Sequence, residues 1–220
     1  MNARYLSLKK YNKKVDFAFF TSNGGVSKGN YYSLNCNFDS EDKALNVEKN
    51  LKIALKSLGV HNKLLKLINQ THSKKIHFID KKNIKNNFYG DGLITKDKNI
   101  VLGVLTADCA PVFLFDSNYS VVCCVHSGWR GAFLNIIKES IIKFKKENIK
   151  RSNIVAIIGP CLGHKNFEVN KDFKLKFKDK NLNYQRFFQT KNKTKDLFNL
   201  RGLINFQLKS EGITNIHNIR

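Results

Sequence analysis

Three apolar runs of strand length follow one another through the middle of this 220-residue chain: Ile100 to Thr106, Val112 to Asp116 and Val121 to His126. They are rich in Val, Leu and Phe, and only short polar breaks separate them. Those breaks leave no room for a crossover helix. Strands adjacent in this way point to a mixed sheet with helices packed outside it, so the expected fold class is α+β. Further runs fit the same plan: Val15 to Phe20, Leu64 to Ile68, Lys75 to Ile79, the short "GLIT", Ile154 to Ile158 and Ile213 to His217. Helical spacing marks Ala44 to Leu58, with Asp42 as its cap. It also marks Arg130 to Asn148, with Phe133, Ile136, Ile137, Ile141 and Phe144 on one side, and Leu197 to Glu211. The stretch Lys171 to Lys195 is polar and carries no clear period.

Nothing in the chain marks a domain boundary. There are two prolines, and there is no Ser/Gly linker, repeat or low-complexity tail. The expectation is a single domain over residues 1–220, with mixed β-sheets flanked by helices. The N-terminal "MNARYLSLKKYNKKV" lacks the apolar run of a signal peptide. The most apolar stretch, Ile100 to Phe115, is interrupted by Asp108 and Pro111 and is too short to span a bilayer. A cytoplasmic protein with no membrane partner is expected. Cys36, Cys109, Cys123, Cys124 and Cys161 are odd in number and form no CxxC, which argues against a disulfide framework. Most of these thiols are expected to be buried and inert.

A formal net charge of +22 raises the question of nucleic acid. The basic pairs Lys9-Lys10, Lys13-Lys14, Lys74-Lys75 and Lys81-Lys82 are short and scattered, without regular aromatic interleaving. The Lys excess travels with many Asn and Ile, as AT-rich codons produce. No nucleic-acid partner is expected, although a positive field would draw anionic substrates such as phosphate.

Three sets of reactive groups stand where an apolar run meets a loop: His72 in "NQTHS", Asp108-Cys109 in "TADCAP", and His126 in "VHSGWRG". Two imidazoles and a thiolate can make a three-ligand zinc site with one position open. The spacing alone favours the plainer reading of a loop histidine, a buried inert thiol and a strand-end histidine with a satisfied hydrogen bond. Asp108, between "VLGVLTA" and "CAPVFLF", is expected to need a partner in an apolar setting, with Arg130 or a ligand histidine as candidates. Arg130 opens a helix, where backbone N–H groups and a guanidinium together suit a phosphate. Trp129 fits core packing or a stacking face for a flat ring. In "IGPCLGHKNFEV", Glu168 is either an acid–base group or an exposed strand-edge carboxylate.

Taken together, "GGVSKGNYYSLN", "NQTHS", "DGLIT", "TADCAPVFLFD", "VHSGWRGA" and "IGPCLGHKNFEV" resemble, in order, the motifs of the YfiH-type family. That family was first described as multi-copper polyphenol oxidases or laccase-domain proteins, and later as purine nucleoside phosphorylases. The resemblance covers most of residues 17 to 170. It implies zinc ligands at His72, Cys109 and His126, substrate contacts at Asn35, Gln70 and Trp129, and catalytic roles for Asp108, Arg130 and Glu168. It implies phosphorolysis of adenosine, inosine, guanosine and methylthioadenosine, deamination of adenosine, and purine nucleosides and phosphate as partners. Ser22, Ser127 and Phe167 depart from the residues usual in the family. It also implies a C-terminal segment beyond "GITNIHNIR", so the domain is expected to be short of that segment, with phosphorolysis weakened.

Other readings of the same residues stay open. Cys109 and His126 could serve a metal-free thiol hydrolase, or an amidase acting on cell-wall precursors. Copper, from the family's older name, fits poorly because blue-copper sites usually take an axial Met and Met1 is the only one.

Overall fold

Six strands pair edge to edge in the larger of two compact units, which takes in residues 66–98 and 102–218. The computed structural model describes residues 2–11 and 14–219. In chain order the strands of this unit used below are β1 (Ile76–Ile79), β2 (Gly92–Thr95), β3 (Ala110–Asp116), β4 (Val122–Ser127), β5 (Ile154–Ile158), β6 (Glu168–Asn170), β7 (Phe188–Thr190), β8 (Lys195–Phe198) and β9 (Asn215–Asn218). The large sheet runs β9-β5-β3-β4-β2-β1. Its centre is antiparallel, and both edge strands pair in parallel. The α+β class is borne out, and the mixture of pairings follows from the short connections on either side of β3 and β4.

Period-two alternation decides what each central strand buries. Cys123 and Val125 of β4, and Val112 and Leu114 of β3, enter one core cluster with Ile136, Ile137, Ile141 and Phe144. Those four side chains belong to helix α3 (Ile136–Lys146) and are at most 2% exposed. Each contributes about 1.5–3 kcal/mol by leaving water. Cys124 and His126 alternate to the opposite face.

The helix expected over 130–148 is broken. It forms as α2 (Trp129–Phe133) and α3, because Asn135 sits in the left-handed region at φ 61°. Its side chain then accepts a hydrogen bond from Lys138 N at 3.1 Å and caps α3. The polar stretch from Lys171 resolves into α4 (Lys171–Lys180) and the small sheet β6-β8-β7. Phe173, Phe177, Phe188 and Phe198 pack ring against ring beneath it, with centroids 4.8–6.0 Å apart. The last helix, α5 (Leu200–Ser210), starts later than its period suggests. Lys195 to Phe198 pairs as strand, and the Asn199 side chain caps α5 through Gly202 N at 2.8 Å.

The smaller unit comprises residues up to 65, with 99–101 and 219. Its helix, α1 (Ala44–Ser57), buries Val47, Asn50 and Ala54. Asp42 does not cap α1, since Lys43 holds the cap position. Its carboxylate accepts instead from Ser27 Oγ at 2.5 Å and Asn46 Nδ2 at 3.1 Å. The strand expected over 15–20 shrinks to Phe19–Phe20, paired antiparallel with Tyr5–Leu6. The glycine-rich loop is closed by Asn50, which accepts from Val26 N at 2.8 Å and donates to Ser27 Oγ and Asn35 O. Gly25 is required there, because a Cβ would stand 2.2 Å from Ser33 O.

Among the described residues no helix is long and apolar enough to cross a membrane.

Candidate metal centre

Antiparallel pairing of β3 and β4 sets His126 opposite Pro111 and Ser127 opposite Ala110. The end of β4 and Cys109, the residue before β3, therefore share one end of the sheet. On the other side of β4, Val125 faces Gly92 of β2, which brings Asp91 alongside His126. His126 donates its main-chain N–H to Asp91 O at 2.8 Å and its Nδ1–H to Asp91 Oδ1 at 2.8 Å. That leaves Nε2 facing away from the carboxylate. The turn Thr71–Ser73 brings in His72, whose ring lies edge-on to that of His126 with centroids 4.9 Å apart.

One ligand atom each from His72, Cys109 and His126 lies within 4.8 Å of the other two. A tetrahedral zinc with ordinary bond lengths needs such atoms about 3.4–3.7 Å apart, so small side-chain adjustments close the set. Two neutral imidazoles and a thiolate suit zinc, and three ligands leave a fourth position free. The surroundings fit as well. A Cβ on Gly128 would stand 2.7 Å from Cys109 Sγ and 3.4 Å from His72 Cδ2, so the backbone has come in as close as a glycine allows. Cys124, the other thiol on the His126 face, does not join the cluster, and burial pushes its pKa well up.

Burial alone would discharge the His126 ring, which is 3% exposed. Its hydrogen bonds to Asp91 and Cys109 outweigh that, and with no metal its pKa rises to about 9. Burial likewise opposes the charge on Asp91, but the bonds from His126 and Ser73 prevail and lower its pKa to about 2.

Beside His72 opens a groove of about 290 Å³, walled by Trp129, Phe133, Phe173 and Phe177 and flanked by Arg130 and Lys176. Trp129 packs edge-on against Phe173 at 4.9 Å, and the Arg130 guanidinium lies 5.1 Å over the indole. Exposed Arg130 and half-buried Trp129 thus reach the same space as His72.

The other expected residues scatter. Asp108 is exposed rather than held in an apolar setting. It lies in the loop before β3, and its carbonyl accepts from Leu162 N at 2.9 Å. Glu168 is exposed at the start of β6 and paired with Lys191, which lowers its pKa. Gln70 clamps the backbone of Leu105, accepting from its N–H at 2.7 Å and donating to its carbonyl at 2.8 Å. Asn35 lies in the smaller unit, where its amide donates to Ser40 Oγ at 2.7 Å and Asp42 at 3.2 Å. Sequence reasoning missed Asp91. The available signal was a carboxylate between two glycines at the mouth of a buried strand.

The model for the family described as multi-copper polyphenol oxidoreductase laccase matches residues 16–220. The chain belongs to this family. A purine nucleoside phosphorylase of Bacteroides thetaiotaomicron is 30% identical over 177 residues, covering 76% of this chain and 65% of that protein. The chain thus spans just under two thirds of that relative's length. An adenosine deaminase, RL5, from an unknown prokaryotic organism is 32% identical over 189 residues, covering 78% of this chain and 72% of its own. The solved structure of the Bacillus licheniformis protein YfiH superposes with a TM-score of 0.84 at 27% identity, covering 92% of this chain and 80% of the other. Within this laccase-type family, then, one relative is named for phosphorolysis and another for deamination, and this chain shares the fold of YfiH.

Proposed function

We propose that this chain is a zinc-dependent purine nucleoside phosphorylase that also deaminates adenosine. The observation that carries the reading is the His72–Cys109–His126 cluster opening on a groove shared with Arg130 and Trp129. The names of the two relatives above supply the substrate class. His72, Cys109 and His126 would hold the zinc, which would supply Lewis acidity.

The chain's own residues divide the remaining work. Arg130 presents a planar guanidinium to phosphate, which a lysine could not match in a two-pronged contact. In phosphorolysis a phosphate oxygen attacks the ribose C1′, the bond to N9 breaks, and the purine leaves with a proton. In deamination water adds at the ring carbon bearing the amine, and ammonia leaves. Asp108, next to Cys109 and exposed, is the carboxylate free to carry protons in both reactions, because that of Glu168 is engaged by Lys191. The aromatic wall of the groove excludes water from one side of a bound nucleoside.

A second reading has one observation in its favour. Cys109, His126 and Asp91 follow one another as nucleophile, base and orienting carboxylate, the order of a thiol hydrolase. That reading gives His72 no task. Metal analysis of the purified protein, with products from adenosine measured with and without phosphate, separates the two. Stoichiometric zinc with phosphate-dependent release of adenine supports the phosphorylase. A metal-free protein that is fully active on amides or esters overturns it.

A further inference from the structure

We propose that Asp91 is the positioning residue of the metal centre, a single buried carboxylate that presets both imidazole ligands before metal arrives. The inference rests on the metal-centre reading above and concerns a residue outside the ligand set.

Asp91 is fully buried, a position a carboxylate holds only when its oxygens are satisfied. Oδ1 accepts from His126 Nδ1 at 2.8 Å and from His72 N at 3.0 Å, so one atom touches both ligand residues. Oδ2 accepts from Ser73 N at 2.5 Å, Ser73 Oγ at 2.9 Å, and Thr71 N and Oγ1 at 3.3 Å. Three successive main-chain N–H groups thus converge on one carboxylate, a concavity that suits an anion. The convergence requires an unusual backbone. His72 stands at φ 54°, a left-handed conformation that costs about 1 kcal/mol for a residue with a Cβ. The carboxylate offsets that cost and so aims the His72 ring.

Asp91 is itself held from both sides. Its N–H donates to Lys75 O at 2.9 Å. A Cβ on Gly90 would lie 2.7 Å from Lys75 O, and one on Gly92 2.7 Å from Ile76 Cγ1, so strand β1 grips the Gly-Asp-Gly segment where only glycines fit. Cys109 receives nothing from Asp91. The two imidazoles therefore depend on this residue and the thiolate does not.

The test titrates metal-stripped wild-type protein and Asp91→Asn with zinc against a competing chelator, and loads both with cobalt. In the variant an amide NH₂ replaces an oxygen among N–H donors. We expect it to bind zinc about 10–100-fold more weakly. The cobalt–thiolate charge-transfer band should persist while the ligand-field bands shift, and far-ultraviolet circular dichroism should match wild type. Equal zinc affinity and unchanged ligand-field bands would overturn the proposal. Should the variant not fold, nitrogen NMR of zinc-loaded wild type decides. A slowly exchanging proton on His126 Nδ1 with Nε2 on the metal supports it, and metal on Nδ1 sinks it. A wild-type protein that takes up no zinc overturns the metal reading itself, whereas zinc binding that ignores Asp91→Asn overturns this inference alone.

Discussion

Gly128 and Cys109 touch so closely that a methyl group on the glycine would stand 2.7 Å from the sulfur. The backbone of Gly128 is ordinary, at φ −72° and ψ 178°, so alanine is conformationally allowed there. The cost of Gly128→Ala is then steric and falls on Sγ and the His72 ring. Overpacking of this kind costs about 1–3 kcal/mol, or roughly 5- to 150-fold in affinity. We expect zinc affinity to fall within that range while the melting temperature of the metal-free protein changes little. Unchanged affinity would show that the sulfur is not a ligand in this position.

Cys109→Ser is expected to abolish stoichiometric zinc, and Cys123→Ser and Cys124→Ser to retain it. Both neighbouring thiols are buried, and neither belongs to the cluster. Elemental analysis of the three purified variants checks this. Zinc retained by Cys109→Ser and lost from Cys124→Ser reverses the assignment.

Arg130→Ala should lower phosphorolysis at least tenfold more than deamination, since only phosphorolysis needs an anion held. The guanidinium is exposed and lies over Trp129, so its removal disturbs little packing. The measurement is kcat/KM for adenosine with phosphate against kcat/KM for deamination without it. Equal losses would assign Arg130 a structural task.

Thiol chemistry gives a pH test away from the metal. Burial raises Cys36 to about 11 and Cys123 to about 12. The reactive species is the thiolate, so lowering the pH below these values removes it. At pH 8 only about a thousandth of Cys36 is ionised. Native alkylation of Cys36 should be slow there and speed up about tenfold per unit between pH 8 and 10. Cys123 should stay unlabelled until the protein unfolds. Fast labelling of Cys36 at pH 8, read by mass spectrometry, contradicts this.

In the smaller unit, Gly25→Ala places a Cβ 2.2 Å from Ser33 O and 2.5 Å from Asn50 Oδ1. The first of these is backbone and cannot swing aside. A loss of about 1–3 kcal/mol is expected from denaturant unfolding. A variant as stable as wild type would mean the loop opens readily.

The central sheet was legible because its strands are near-continuous apolar runs buried on both faces, as in Ile154–Ile158. The break at Asn135 was not, because the flanking apolar residues keep helical spacing across it. The His-Cys-His set and its convergence could be read from residue type, placement at strand ends and motif order, although the three residues lie 17 to 54 positions apart. Asp108 misled because its neighbours in sequence are apolar while its own peptide stands outside the sheet. Asp91 went unread for the opposite reason. A carboxylate beside "GLIT" looks like a loop residue until the strand pairing buries it. Gln70 and Asn35 sit in matching motifs, yet their amides are engaged by protein groups.

The antiparallel neighbourhood of β3 and β4 also sets an order of assembly. Cys109 and His126 flank a hairpin of fewer than twenty residues, and its closure is local and fast. His72 reaches them only after β2 pairs antiparallel with β4, joining residues 27 to 33 positions apart, a less local step. During synthesis or refolding, two donors are therefore side by side before the third exists in place. High-affinity metal uptake becomes a late event, and a report that this half of the chain has finished folding.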